Sequence, residues 1–271
     1  MWRDYEYRPH PNDTGVEIIL RDSPIQAFNA SVLGLGDLRT PSEQVDGVAA
    51  MFDLEGFTTF TRQVDPHFSL PNFCADFLDW LFESLRKELT DDEKRQTLFT
   101  ELPFFAKFTG DGALFLWRID MARIRATDPG RSAANWSEYV QEHVCNVVVS
   151  LFNVVTGYQS FLQRAKGKYA DVPPVLRCGA ARGNLYSVGE CGDWVGPCIN
   201  IAARLQKFHG LSFAFSARGV DPMVGMNEAR RAVFEKKRAA IRGIGDNELV
   251  YVLKTDFDRL SEADRAALSD A

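Results

Sequence analysis

From Gly47 onward the chain alternates short apolar runs with helical periodicities. Val48-Ala49-Ala50-Met51-Phe52 is a continuous apolar run, the pattern of a central strand buried on both faces. It stops at Asp53, and Gly56 then breaks the extended backbone. Ser69 and Pro71 signal a helix start, after which Phe73, Phe77, Leu81 and Leu85 recur on one face. The runs from Phe104 to Phe108 and from Ala113 to Trp117 read as two strands, with Gly110-Asp111-Gly112 as the hairpin turn between them. The stretch from Arg118 to Trp136 is polar and reads as irregular. A long helix is predicted through Val140, Val144, Val147, Val148, Leu151, Val155, Tyr158 and Leu162, closed by Pro173-Pro174. Beyond it come a strand from Val175 to Ala181, a glycine-punctuated hairpin from Gly183 to Gly196, and a helix from Pro197 to Phe208 with proline at its start. A strand from Leu211 to Phe215, a basic helix around Ala229 to Ala240, and a strand from Leu249 to Leu253 complete the pattern. This order predicts an α+β fold, a mixed sheet with helices over one face. Residues 1–46, rich in Pro, Asn, Asp and Gly, read as an extension wrapped on that core; residues 255–271 read as a C-terminal tail.

Composition changes this picture little. With 271 residues, 45% apolar and 25% charged, the chain can bury a substantial core and has no biased tract. A net charge of -6 argues against a non-specific grip on nucleic acid. The first residues mix charges and lack an apolar h-region, and the stretch from Val144 to Val155 is too short to span a bilayer, so no membrane partner is expected. Five cysteines without a C-x-x-C pair read as small buried hydrophobes in a reducing compartment, and the expected location is cytoplasmic. The four histidines are scattered, with no H-E-x-x-H and no G-x-S-x-G. Arg230-Arg231 and Lys236-Lys237-Arg238 read as a solvated helix face.

Two carboxylates stand out. Asp53 ends a buried strand, and Asp111 sits in the turn of a neighbouring hairpin. Apolar strands that deliver carboxylates at their ends can hold a pair of Mg²⁺ or Mn²⁺ ions for displacement at phosphorus. Each also has a plain reading: Asp53 as the cap of a short helix, Asp111 as the preferred Asp of an Asp-Gly turn.

The surrounding motifs add a resemblance. Phe52-Asp53-Leu54-Glu55-Gly56-Phe57-Thr58 resembles the first-strand signature of class III nucleotidyl cyclases. Lys107-Phe108-Thr109-Gly110-Asp111 resembles their hairpin motif. The segment Asp193-Trp194-Val195-Gly196-Pro197-Cys198-Ile199-Asn200-Ile201-Ala202-Ala203-Arg204 resembles the third. The resemblance covers residues 47–254 and implies a ferredoxin-like cyclase catalytic domain acting as a homodimer with composite active sites. It implies two metal ions per site, held by Asp53 and Asp111 with the Leu54 carbonyl. The N–H groups of Gly56, Phe57 and Thr58 would cradle the triphosphate, while Lys107 and Asp193 would face the base. Asn200 would orient the ribose, and Arg204 would meet charge on the transferring phosphoryl group. Arg242 stands where the family usually has a phosphate-binding Lys, a departure that keeps the charge. The implied reaction turns a nucleoside triphosphate into its 3′,5′-cyclic monophosphate and pyrophosphate.

The base is less constrained. By their edges alone, Lys107 and Asp193 suit adenine, uracil or cytosine, and the ordinary family rule reads Lys plus Asp as ATP-using. The segment from Trp194 to Gln206, on a stand-alone cyclase with a short N-terminal extension, is also similar to the pyrimidine cyclases of bacterial Pycsar antiphage systems. That similarity implies UTP as substrate, CTP less so, and a separate effector that senses the cyclic nucleotide. A cyclase-like domain that binds nucleotide without turnover is the rival from another class. Its expected mark, loss of a metal Asp or of the Asn–Arg pair, is absent from the sequence.

Overall fold

The structure is a computed structural model that describes residues 5–12, 14–21, 29–62, 65–90, 98–127 and 132–271. It divides into two compact units, one of Met1–Glu43 with Ser187–Trp194, the other of Gln44–Tyr186 with Val195–Ala271. In the first unit, β1 (Tyr5–Pro9) and β2 (Val16–Leu20) pair antiparallel, with Tyr7 opposite Ile18. Strand alternation puts Tyr5, Tyr7, Val16 and Ile18 on one exposed face, while Glu6 on the other pairs with Arg8 and Arg21. Also in this unit, the turn at Gly189 packs on Leu35, and a Cβ there would lie 2.3 Å from the Leu35 carbonyl oxygen.

The second unit is a sheet with helices. In chain order its elements are β3 (Gln44–Glu55), α1 (Phe57–Phe60), α2 (Pro66–Leu89), β4 (Phe105–Phe108), β5 (Gly112–Arg118), α3 (Met121–Thr127) and α4 (Ala133–Ala165). β6 (Val175–Val188) and β7 (Asp193–Val195) follow, then α5 (Pro197–Leu205), β8 (Phe213–Ser216), β9 (Phe234–Ile241), β10 (Gly245–Leu253) and β11 (Leu268–Asp270). The strands lie in the order β11-β9-β10-β8-β6-β3-β5-β4. β6 and β8 are parallel and the other pairs on this path antiparallel, so the sheet is mixed, as the sequence predicts.

The alternation along β3 divides its side chains. Val48, Ala50, Phe52 and Leu54 join the core beneath α2 and α4. There Phe73 packs 4.3 Å from the ring of Phe60 and edge-on to Phe161 and Tyr169, which ties α1 to both long helices. On the opposite face lies the short α5, seated on a β6 backbone that carries no side chain at Gly179: a Cβ there would meet the Ala202 carbonyl oxygen at 2.1 Å. By length and composition α4 could cross a bilayer, but 61% of that stretch is buried inside the fold.

Several local expectations change. The predicted basic helix at 229–240 is a single turn, Glu228–Arg231, followed by β9. Pairing with β10 and β11 overrides the local preference there, and buried Lys237 is paired with Glu235 and Asp270. The hairpin expected from Gly183 to Gly196 is present, β7 pairing with β6, but its first arm is continuous with the strand before it: β6 runs unbroken because β3 offers a partner from Glu55 opposite Val175 through Gln44 opposite Tyr186. α2 starts at Pro66 and keeps Pro71 inside it. Within the stretch expected to be irregular, Met121–Thr127 is helical, while residues 128–131 lie outside the described residues. β11 adds Leu268–Asp270 to the sheet edge.

Candidate active site

Asp53 is the residue at which the buried run of β3 turns polar, and it is only 6% exposed. Alternation places it on the α5 face, away from Phe52 and Leu54. Its register partner on β6 is Arg177. The Arg177 guanidinium donates from Nε and Nη2 to Asp53 Oδ2, the first bond measuring 3.1 Å. Asp111 lies in the β4–β5 turn, closed by a Thr109 N–H donating to the Gly112 carbonyl at 3.0 Å. The Leu54 N–H donates to the Asp111 carbonyl at 2.8 Å, which fastens this turn to the end of β3. Only glycine fits at 112, since a Cβ would stand 1.9 Å from the Phe52 carbonyl oxygen. Burial pushes the Asp53 carboxyl above the usual carboxylate range; Arg177 opposes that, and the nearby Asp111 carboxylate adds to it.

Asp53 and Asp111 line one cavity of about 220 Å³, together with Thr109 and, from α5 and the residues just after it, Ala203, Gln206 and Lys207. Two carboxylates near enough to repel one another, on a rigid strand end, suit a hard divalent cation. Among the described residues no cluster of three or more His, Cys, Asp and Glu is gathered. A Mg²⁺ or Mn²⁺ ion held by Asp53 and Asp111 would therefore complete its shell with phosphate, carbonyl and water oxygens, the usual arrangement for Mg²⁺.

Asn200 and Arg204 stand one helical turn apart on α5, exposed. With Lys207, Arg242 and Gly243 they line a second cavity of about 390 Å³. Arg242 lies in the turn between β9 and β10, where Gly243 takes φ +79°. Three cations and no carboxylate among the lining residues make this cleft a match for phosphate oxygens. Ala203 and Lys207 line both cavities, whereas Asn200 and Arg204 do not line the aspartate cavity. One chain thus carries an acidic cavity and a basic cleft on adjacent sides of α5.

The other expected residues are placed as follows. Lys107 is exposed on β4, opposite Leu114, on the same sheet face as Asp53. Asp193 belongs to the first unit, where its Oδ1 accepts a 2.9 Å hydrogen bond from the Trp194 N–H. Gly56, at φ +83°, begins the single turn of α1, with the Phe57 and Thr58 N–H groups at its open end. Arg177, the hydrogen-bond partner of Asp53, and Lys207, which lines both cavities, are residues that the sequence motifs do not mark. The one signal for Arg177 was a lone cation inside an apolar strand.

No protein-family model matches the chain, and no curated protein matches its sequence. Its fold does have solved counterparts. The adenylyl cyclase CyaB from P. aeruginosa is similar with a TM-score of 0.55 at 14% identity, over 78% of this chain and 95% of that one. A bacterial light-regulated adenylyl cyclase is similar with a TM-score of 0.51 at 12% identity, over 80% of this chain and 53% of that chain, so this chain spans about half of that protein's length. The catalytic core of a rhodopsin-guanylyl cyclase with converted specificity, in complex with ATPαS, gives a TM-score of 0.50 at 14% identity, over 79% and 98%. The sheet order, the long helices α2 and α4 on one face and these likenesses together give the chain the class III nucleotidyl cyclase catalytic fold.

Proposed function

We propose that this protein is a nucleotidyl cyclase, converting a nucleoside triphosphate to its 3′,5′-cyclic monophosphate and pyrophosphate at sites shared between two copies of the chain. The observation that carries this reading is the pair of carboxylates, Asp53 and Asp111, lining one cavity of a cyclase fold while Asn200, Arg204 and Arg242 line a basic cleft beside it. Divalent cations bound at Asp53, Asp111 and the Leu54 carbonyl would supply Lewis acidity at the ribose 3′-oxygen and charge compensation at the triphosphate. Asn200 holds the ribose in line with the α-phosphorus. Arg204 meets the negative charge that develops on the transferring group. Arg242 and the Gly56–Thr58 turn bind the outgoing phosphates, and Arg177 can exchange Asp53 for a phosphate oxygen once that carboxylate has another cation to face. Asn200 and Arg204 do not line the aspartate cavity of their own chain, which favours a homodimer in which each copy completes the other's site.

For the base, the proposed substrate is UTP. Lys107 can donate to uracil O4 and Asp193 can accept from N3–H, and the segment from Trp194 to Gln206 is similar to pyrimidine cyclases. On the same ground cyclic UMP would be a messenger to a separate effector in cytoplasmic antiphage defence. ATP is the second reading. It is favoured by the same Lys–Asp pair, which also matches adenine, and by the adenylyl cyclases among the structural neighbours. The test is a competition assay: purified protein, Mn²⁺ and equimolar UTP, CTP, ATP and GTP, with products identified by mass. Cyclic UMP as the main product is expected. Dominant cyclic AMP would transfer the assignment to ATP, and no cyclic nucleotide at all would remove the cyclase reading.

A further inference from the structure

Arg177 and Asp53 face each other across the β3–β6 pair, on the side of the sheet that carries α5. Their side chains are only 17% and 9% exposed. The guanidinium donates twice, from Nε at 3.1 Å and from Nη2, to the single oxygen Oδ2. Its third nitrogen, Nη1, lies 3.9 Å from Oε1 of Glu55, two residues further along β3. Two residues with donor side chains, Thr109 and Lys207, also line the cavity of Asp53 and Asp111. The Thr109 hydroxyl brings no charge, and Lys207, which is exposed, forms no ion pair with Asp53 among the described residues. Arg177 is therefore the cation that balances this carboxylate. The same end of the strand pair carries the expected phosphate turn. Glu55 stands opposite Val175 in register, and a Cβ on Gly56 would lie 3.6 Å from Pro174.

That balance sets a condition on binding. To share two divalent cations with Asp111, Asp53 needs both of its oxygens, and Oδ2 is the one that Arg177 engages. The guanidinium would then also face like charge at close range. Arg177 cannot simply be left behind, because it stays charged and a buried charge without a partner is strongly destabilising. Its contact with Glu55 is too long for a hydrogen bond. A phosphate oxygen is the anion whose geometry suits the freed fork. A triphosphate alone meets the opposite obstacle, two carboxylates in one cavity. We propose that Arg177 makes metal and triphosphate binding interdependent, passing from Asp53 to a phosphate oxygen as Asp53 takes the cation. This inference rests on the metal pocket of the proposed function and adds to it a rule for filling. Free cation binds weakly, whereas cation and nucleotide bind strongly together, and each strengthens the other by the same factor.

The test measures the two ligands separately, at mildly alkaline pH where both carboxylates are charged. Mn²⁺ affinity without nucleotide is read from the loss of the free-ion electron paramagnetic resonance signal. Nucleotide affinity with saturating Mn²⁺ is read by equilibrium dialysis of 3′-deoxy-UTP and 3′-deoxy-ATP, which lack the attacking hydroxyl. Arg177→Met removes the competing charge and the phosphate fork together. Its Mn²⁺ dissociation constant without nucleotide should fall by roughly tenfold, and its nucleotide dissociation constant with Mn²⁺ should rise by a similar factor. Arg177→Gln, which keeps a donor beside Asp53 without the charge, should move the two constants in the same two directions. Misfolding weakens both affinities, so opposite signs cannot come from a damaged fold. Unchanged or weaker Mn²⁺ binding in the folded variants overturns the proposal, as does an unchanged nucleotide affinity. Asp53→Asn is the control for the pocket itself. Full Mn²⁺ affinity in that variant removes the metal reading, whereas lost affinity there beside an unmoved constant in Arg177→Met removes the coupling alone.

Discussion

Asp53 carries opposed demands. Its carboxylate is buried, repelled by Asp111 and held by Arg177, so its charge is maintained by whichever cation lies nearest. Asp53→Asn or Asp111→Asn keeps the shape of the side chain and removes the charge that would hold metal. Each should abolish cyclisation while leaving the circular dichroism spectrum unchanged; near-normal turnover in the double variant would end the two-metal assignment. Arg204 is exposed on α5, and in the proposed reaction it meets charge that exists only during transfer. Arg204→Ala should lower turnover by about 10²–10³, with a smaller effect on KM, as for other preorganised electrostatic contacts. Steady-state kinetics decide this: a collapse of affinity with turnover intact would make Arg204 a ground-state binder. The cysteines give a simpler test of local environment. Burial pushes the Cys145 thiol up to about 12, the Cys198 thiol up to about 11, and Cys178 well above its ordinary value. Cys191 is exposed. A thiol reagent at neutral pH should therefore modify Cys191 first in the native protein and the other three only on unfolding, as peptide mapping would record.

At the scale of elements, the sequence was most legible where burial is regular. The central run of β3, the Phe73–Leu85 face of α2 and the long α4 follow from spacing alone, because each buries one repeated pattern against one neighbour. Asp53 stood out in the sequence because it ends an apolar run, and Asp111 because it lies in the glycine-flanked turn between two such runs. β9 was not legible, since its basic composition is compensated by Glu235, by Asp270 from the far end of the chain and by the Phe257 ring 3.8 Å from the Lys237 ammonium. Arg177 was hidden likewise, its partner lying 124 residues away. A sensitive contact between elements is that of Gly179 beneath α5. Gly179→Ala must push the helix off β6, at a cost of about 1–3 kcal/mol for overpacking. Because α5 carries Asn200 and Arg204, thermal denaturation and turnover should fall together in this variant; a normal melting temperature with normal activity would contradict the packing described here.

In the whole molecule, the acidic cavity and the basic cleft lie around a single helix. The aspartate cavity and the Asn200–Arg204–Arg242 cleft share Ala203 and Lys207 as a wall; in the proposed dimer the arginine of one chain would meet the carboxylates of another. The proposed symmetric pair of chains would have two equal sites, each with an acidic half from one copy and a basic half from its partner. The most direct measurement of this claim is activity after subunit exchange between Asp53→Asn and Arg204→Ala proteins, each inactive alone. Random pairing puts half of the chains in mixed dimers, and one of the two sites in every mixed dimer is intact. The predicted result is recovery to roughly a quarter of wild-type turnover per chain. No recovery, with exchange demonstrated by mass spectrometry of the mixed dimer, would contradict a site shared between two copies.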